Sequence, residues 1–469
     1  MGPSGSEVDI ISGRVDEVRE GRVLGWAENT KDNKNSVELE FIIDKFVVGS
    51  TIADAFREDL LAAGIRDGKA SFIFEIPYFF YDGVEHSLIV RDTQTKQVLS
   101  SRVDRFNLDE RNFPSLENKQ DWIYKSIITN ICYEREDLDS AIESTRKLAI
   151  YTTYHDHDRF LSFHRRTIEA LSLAGFTVLV VHASRTFGPR LAEIQSREVF
   201  LLGKKNLGYD FGSWCVGFFG TSNLLHKIDE IIFVNDSVFG PMFDLPELME
   251  RIRALKVDFA GLTDSYEHHH HIQSYFFWFG TNVIRSLAFA RFFGEYPFPP
   301  DKKSVIGQGE LSLTRVLFSA GFDYSVCFPY ETLVDKWFQQ LPRVRREIRQ
   351  LQEYTKLQNG RGYTHTLMES LDRIVGVLCS GQPVNPTHFF WDVLIREYKF
   401  PFIKRELLFH NPAQIPTYYG CKEVVMNCNR NVWDDILRAH RVYGGSKLPL
   451  YHSRSEPRVR SGTKKSSPT

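Results

Sequence analysis

The most constraining stretch of this chain is Ile231-Ile232-Phe233-Val234-Asn235-Asp236-Ser237-Val238-Phe239-Gly240-Pro241. Four apolar, partly β-branched residues run directly into Asn-Asp-Ser. An unbroken apolar run of that length suits a strand buried on both faces, as in a parallel sheet covered by helices. Gly240 and Pro241 stop it. The small polar residues then fall at the carboxyl end of a central strand, where open α/β sheets bind ligands. One carboxylate between two short hydrogen-bonding side chains suits a divalent cation and the diphosphate attached to it. Asn, Asp and Ser are also ordinary turn formers, so the surrounding chain has to decide between a turn and a site.

From Leu148 the pattern alternates strands with helices. Leu148–Tyr151 reads as a strand ending in Thr152-Thr153-Tyr154, Arg159–Ala174 as a helix closed by Gly175, and Phe176–Val181 and Val199–Leu202 as further strands. That spacing predicts parallel βαβ units with right-handed crossovers. Asn206-Leu207-Gly208-Tyr209-Asp210-Phe211-Gly212 then opens a helix. Glycine lets backbone approach a ligand, and a helix N-terminus favours anionic groups, so this turn and the Asn-Asp-Ser strand end would line one crevice. Further on, consecutive residues of a strand alternate faces, so at most two of His268–His271 would share an ion. The stretch reads as a polar loop feeding a buried strand, with His271 toward the cleft. Gly307-Gln308-Gly309-Glu310 predicts the start of a helix running to Gly321. Glu310 in its first turn is either a capping carboxylate or a general base aimed into the crevice.

The chain has 469 residues, enough for two or three domains. Residues 8–105 alternate apolar and polar positions and predict an antiparallel β-sandwich in which Trp26 is a core aromatic. Residues 106–147 read as a helical linker, 148–335 as the catalytic α/β domain and 336–453 as its helical C-terminal part, with helices over Val344–Leu357 and Met368–Cys379. The basic tail 454–469 lacks apolar periodicity and is expected to be disordered. A formal net charge of −2 gives no global basic field for nucleic acid. No run approaches the roughly 20 apolar residues of a membrane helix, and the polar opening Met1–Ser6 is unlike a signal peptide. Cys132, Cys215, Cys327, Cys379, Cys421 and Cys428 are scattered without Cys-x-x-Cys spacing, which argues against zinc or a disulfide framework and for a reducing, cytoplasmic setting.

Several stretches carry a resemblance. Gly21–Ala27, Ala53–Leu60 and Asp67–Phe72 resemble a small β module attached to many bacterial glycosyltransferases. Asn206–Trp214, Phe233–Pro241, His271–Phe276, Asn385–Trp391 and Phe400–Leu408 resemble, in order, the rhamnan synthesis protein F family. The resemblance implies a GT-A-like, Rossmann-type nucleotide-sugar-binding domain with a mixed sheet. It implies transfer of rhamnose or a related deoxyhexose from a nucleotide-diphosphate sugar, with dTDP-rhamnose the expected donor, to a lipid-linked glycan growing into a cell-surface polysaccharide such as O-antigen lipopolysaccharide. Under that resemblance Glu310 and Asp236 are the catalytic residues, with inversion at the sugar. Thr152, Thr153, Tyr154, Asn206, Gly208, Asp210, Asn235 and Ser237 bind the donor. His271, Gln273, His388, Trp391 and Lys404 serve the sugar and acceptor. GT-A enzymes usually carry Asp-x-Asp where this chain has Asn235-Asp236-Ser237, with only one acid, which leaves open both the use of Mg²⁺ or Mn²⁺ and whether Asp236 or the flanking Asn235 and Ser237 would ligate it. The setting implied is the inner face of the cell membrane, peripherally, beside other polysaccharide-assembly enzymes. The alternatives are a transferase for another nucleotide sugar and a non-catalytic carbohydrate-binding scaffold.

Overall fold

The computed structural model describes residues 11–19, 21–32, 35–76, 80, 84–108, 116–359 and 365–444; the expected disordered tail, 454–469, lies outside them. The chain divides into two compact units. The first comprises Met1–Phe160, Ile168–Asp236 and Leu245–Pro329, and the second Leu161–Thr167, Ser237–Asp244 and Tyr330–Thr469.

The strands, in chain order, begin with β1 (Ile11–Arg19), β2 (Arg22–Asn29), β3 (Val37–Ile43), β4 (Phe46–Ala53), β5 (Ala55–Phe56), β6 (Lys69–Glu75), β7 (Glu85–Asp92), β8 (Ser100–Ser101) and β9 (Arg105–Asn107). They form two sheets, ordered β5-β6-β2-β1-β8 and β4-β3-β7-β9. Pairing is antiparallel except for β8, which runs parallel to β1. Inward residues of both sheets share one core. Phe41 of β3 stacks on Phe74 of β6 at 4.0 Å and meets Phe72 edge-on at 5.6 Å. The alternation on β2 buries Val23, Gly25 and Ala27. Trp26 therefore lies on the opposite face, half-buried, rather than in the core.

Then come β10 (Ile128–Ile131), β11 (Lys147–Tyr154), β12 (Thr177–Ala183), β13 (Val199–Lys204), β14 (Glu230–Asn235), β15 (Val238–Phe239), β16 (Phe259–Ser265), β17 (His271–Ile272), β18 (Phe276–Gly280), β19 (Tyr324–Phe328) and β20 (Ile403–Lys404). The large sheet of the first unit is ordered β10-β13-β12-β11-β14-β18-β16-β17, with β19 pairing β16. β11 to β14 are mutually parallel, β18 is antiparallel to β14, and β19 is parallel to β16, so the sheet is mixed. The stretch read as bridging helices also supplies the edge strand β10, antiparallel to β13. Its helix Arg135–Thr145 buries Leu138 and Ile142 in the core of the same sheet.

β14 is buried from Ile231 to Asn235. Trp214, on helix Tyr209–Thr221, stacks on Phe233 with centroids 5.4 Å apart, and Phe279 and Phe293 close around the same ring. Burying one such side chain contributes about 1.5–3 kcal/mol. The aromatic cluster thus fixes the helix across the central strand and fixes where its N-terminus emerges.

The second unit is helical apart from the β15–β20 pair, in which Val238 faces Lys404. Its helix Tyr330–Asn359 starts well before the expected Val344 and contains Pro342. Helix Arg430–Tyr443 buries Val432, Trp433, Ile436 and Ala439, an amphipathic spacing. Arg166 Nε donates to the buried Asp435 carboxylate at 2.7 Å, which pairs that charge.

Candidate functional site

Parallel neighbours in a sheet end at the same rim. In the β11–β14 ladder Thr152 stands beside Asn235. β11 runs three residues beyond the expected Tyr151, so Thr152, Thr153 and Tyr154 are strand residues and alternate in direction. Helix Tyr209–Thr221 begins at this rim. The turn before it needs a glycine: Gly208 has φ +71°, and a Cβ there would meet Phe298 at 2.9 Å. Asp210, in the first helical turn, accepts from Asn235 Nδ2 at 2.8 Å and from Thr152 Oγ1 at 3.4 Å. Asp236, one residue past β14, accepts from the Tyr154 backbone N–H at 3.4 Å. Five of the expected donor-binding residues, Thr152, Tyr154, Gly208, Asp210 and Asn235, and one expected catalytic carboxylate therefore sit around two strand ends and a helix start.

Lys204 supports this arrangement and was not singled out in the sequence. It ends β13, is fully buried, and its Nζ donates to the carbonyls of Lys205 at 2.9 Å and Leu207 at 2.8 Å. It thereby pins the turn that delivers Gly208 and Asp210. Burial pushes its pKa down to about 7, against the pull of the Asp210 charge. Its sequence signal was slight: a lysine closing an apolar strand directly before the Asn206-Leu207-Gly208 turn.

Glu310 does not start a helix. Helical backbone begins at Lys302, where the Asp301 side chain accepts from Ser304 N–H, passes through a π-helical turn over Ile306–Glu310, and continues as Leu311–Ser319. Glu310 itself has φ −59° and ψ −51°. The expectation of a first-turn carboxylate facing a helix N-terminus is corrected: the preceding turns already supply helical partners, so no open N-terminus is there to cap. The glycines read as opening a helix instead let the turn pack closely. A Cβ on Gly309 would lie 2.5 Å from the ring of Phe211, the residue after Asp210.

The Glu310 carboxylate accepts from the Ser274 backbone N–H at 2.8 Å, with His271 Nε2 at 3.9 Å. His271 Nδ1 lies 2.7 Å from the His269 carbonyl, which can only accept, so the proton is assigned to Nδ1. The next residue, Tyr275, accepts through its carbonyl from Asn235 N–H at 3.4 Å. One dipeptide, Ser274-Tyr275, thus joins Glu310 to the end of β14. Asp236 and Glu310 consequently belong to the same rim of the first unit.

Thr153 faces away from Thr152 and hydrogen-bonds the buried His182 at 2.8 Å. Gln273 is 5% exposed and accepts from Thr263 Oγ1 at 2.8 Å, inside a network that includes the Tyr275 hydroxyl. Asn206 is exposed in the turn before Gly208. Ser237, His388, Trp391 and Lys404 belong to the second unit. There Lys404 Nζ donates to Ser237 Oγ at 3.0 Å, and the buried His388 has Nε2 4.0 Å from Glu406. Trp391 is a correction: it is 2% exposed and spends its indole N–H on Thr417 Oγ1 at 2.9 Å, so no ring face is available to a sugar. Among the histidines, His270 rather than His271 makes two side-chain links, to Asp264 at 2.8 Å and to the Tyr324 hydroxyl at 2.7 Å.

Among the described residues no group of three or more His, Cys, Asp or Glu is arranged to hold a metal ion. Nor is any helix of those residues long and apolar enough to cross a membrane.

Over residues 194–351 the chain matches the family described as Rhamnan synthesis protein F. That span runs through β13, the Gly208 turn, β14 and the Glu310 turn. Virulence protein VirA of Vibrio anguillarum is 30% identical to it over 295 residues, 61% of this chain and 87% of that protein. Uncharacterized protein y4gN of Sinorhizobium fredii is 27% identical over 171 residues, 36% of this chain and 45% of that protein.

Proposed function

Because this chain belongs to the rhamnan synthesis protein F family, we propose that it is an inverting glycosyltransferase with a GT-A-like nucleotide-sugar site at the β11–β14 rim. The observation that carries the reading is the Ser274-Tyr275 link, which brings Glu310 and Asp236 to one edge of one sheet. A general base and a diphosphate anchor have to share a cleft for direct displacement. The donor is a nucleotide-diphosphate deoxyhexose, with dTDP-rhamnose first among the candidates. The acceptor is a hydroxyl of a lipid-linked glycan, met at the inner face of the membrane among other polysaccharide-assembly enzymes.

In this reading Glu310 removes the acceptor proton as that oxygen attacks the anomeric carbon. The bond to the nucleoside diphosphate breaks on the opposite face, and the configuration inverts. Ser274 N–H holds the Glu310 carboxylate in line. Asp210, clamped by Asn235 and Thr152 and pinned from below by Lys204, shapes the nucleoside side of the cleft, and Tyr154 flanks it. The described residues offer no metal cage of their own, but Mg²⁺ is commonly held by one or two carboxylates plus substrate phosphates. A divalent ion brought in with the donor would rest on Asp236 and supply positive charge to the leaving diphosphate.

The test is a screen of nucleotide sugars with purified protein, with and without chelator, followed by NMR of the product's anomeric configuration. Transfer with inversion is expected. Transfer with retention removes the base role of Glu310. Nucleotide-sugar binding without turnover leaves a carbohydrate-binding scaffold.

A further inference from the structure

The N-terminal β module grips the stretch Ser304–Glu310 of the α/β domain through β4. Ser304 Oγ, 1% exposed with its residue, donates to the Ser50 carbonyl on β4 at 2.9 Å, and Ser50 N–H returns a bond to the same oxygen at 3.4 Å. Ser304 stands directly before the π-helical turn Ile306–Glu310. Within that turn a Cβ on Gly307 would come 3.1 Å from the Val48 carbonyl, and a Cβ on Gly49 would come 3.1 Å from Gln308 Nε2. The opposite flank of the turn meets the Phe211 ring at Gly309. Lys303 Nζ reaches toward Glu40 of β3 at 4.0 Å.

A π-helical turn is wider than an α-turn, occurs mostly as a single turn within an α-helix, and is frequent at functional sites. It persists where neighbours on both sides impose it. Here those neighbours are the β4 backbone of the module on one flank and Phe211 on the other, and the two glycines are what allow both to come so close. Glu310 is the last residue of the turn, and its carboxylate is directed at Ser274 N–H.

We propose that the β module is a built-in support for the catalytic turn: β4, through Val48, Gly49 and Ser50, holds Ser304–Glu310 in the winding that aims Glu310 at the rim. Ser50, Ser304 and Gly307 are positioning residues, and the consequence for turnover rests on the glycosyltransferase reading given above. A module serving only as a tether or a sugar-binding appendage has no need to grip this turn.

The test uses the full-length protein with two variants, Gly307→Ala and Ser304→Ala. Alanine is a better helix former than glycine, so a merely structural Gly307 predicts equal or greater stability and unchanged turnover. Support requires that Gly307→Ala push the turn off β4 and slow turnover about tenfold at unchanged donor affinity, the scale expected for a slight misplacement. Ser304→Ala gives a smaller fall in the same direction. In both, amide hydrogen exchange over 303–312 quickens while the melting temperature stays put. Wild-type exchange over 303–312 and wild-type turnover in both variants overturn the proposal. So does exchange rising evenly along the chain together with a lower melting temperature, which is loss of fold and not positioning. If the wild-type protein transfers sugar from no nucleotide donor, the functional reading has failed, and the exchange measurement alone decides whether the module holds the turn.

Discussion

The end of β14 and the stretch Asn385–Trp391 look alike as sequence: each sets Asn, a hydroxyl residue and large aromatics together. At the end of β14 the polar groups converge from three elements. Asn235 reaches Asp210, Tyr154 N–H reaches Asp236, and both carboxylates keep some exposure. In Asn385–Trp391 the polar atoms are turned inward and bonded within the core of the second unit. Thr387 Oγ1 donates to Asn385 Oδ1 at 2.8 Å, and the Trp391 indole N–H is held by Thr417. The difference teaches that a motif-like string is not by itself a site. Strand ends in a parallel sheet collect groups from separate parts of the chain at one edge, whereas a helical stretch in a core satisfies its own polar atoms and packs its rings. Substitutions in the first region are therefore expected to change chemistry, and those in the second to change stability.

The largest effect expected at the rim belongs to Glu310. Loss of a general base typically slows a reaction roughly 10²- to 10⁴-fold. Glu310→Gln keeps the shape and a hydrogen-bonding side chain, so donor binding is expected to persist while turnover falls at least about 100-fold. Calorimetry for binding and single-turnover rates separate the two. Turnover near wild type would reduce the Ser274 contact to a structural one and erase half of the contrast drawn above.

Next comes Asp236→Ala. With Mg²⁺ present, losing the carboxylate that would hold the ion to the diphosphate costs about 1.5–3 kcal/mol, or roughly 10- to 150-fold in affinity. Nucleotide-sugar affinity should drop by that order with the thermal transition little changed, because Asp236 is only half-buried. Nucleotide titrations that superimpose on wild type would remove Asp236 as the anchor.

How much of this was legible follows from which elements carry their position in their residues. β14 was readable because an apolar run into Asn-Asp-Ser has one natural place in an α/β sheet, and Gly208 because its left-handed backbone favours glycine. The Glu310 turn was misread because Gly-x-Gly resembles a helix start. Its glycines instead answer to Val48 and Phe211, which are distant in sequence. Trp391 was misread because a ring's exposure depends on partners such as Thr417 that no local pattern reveals. Lys204 was missed since a lysine after an apolar run is usually the solvent end of a strand, and only the Asn206-Leu207-Gly208 turn folding over it makes it buried.

Lys204 gives a prediction about pH that sharpens the rim side of the comparison. Its pKa is lowered in the folded protein to about 7 from a reference of 10.5. Below about pH 7 folded and unfolded chains both carry the proton, and the burial penalty is constant. Between there and 10.5 only the unfolded chain is protonated, so this residue makes stability rise with pH, by at most about 1.4 kcal/mol per unit. Lys204→Met should flatten that rise and release the Leu207 carbonyl. Denaturation midpoints of the two proteins across the alkaline range are expected to diverge. Parallel curves would mean that the ammonium is solvated in solution and does not pin the turn.

The smallest effect on chemistry is expected in the second unit. Trp391→Phe keeps an aromatic ring in the core but leaves Thr417 without its donor and a gap where the indole packed. Losing a buried hydrogen bond and part of a buried ring costs about 2 kcal/mol, seen as a lower urea midpoint with an unchanged slope. Donor affinity and turnover should stay within about twofold of wild type, since the indole N–H is already spent on Thr417 of the same unit. A sugar-stacking tryptophan predicts the reverse pattern, with acceptor KM raised and stability held. That result would return Trp391 to the site and require the ring to leave its contact with Thr417 when substrate arrives.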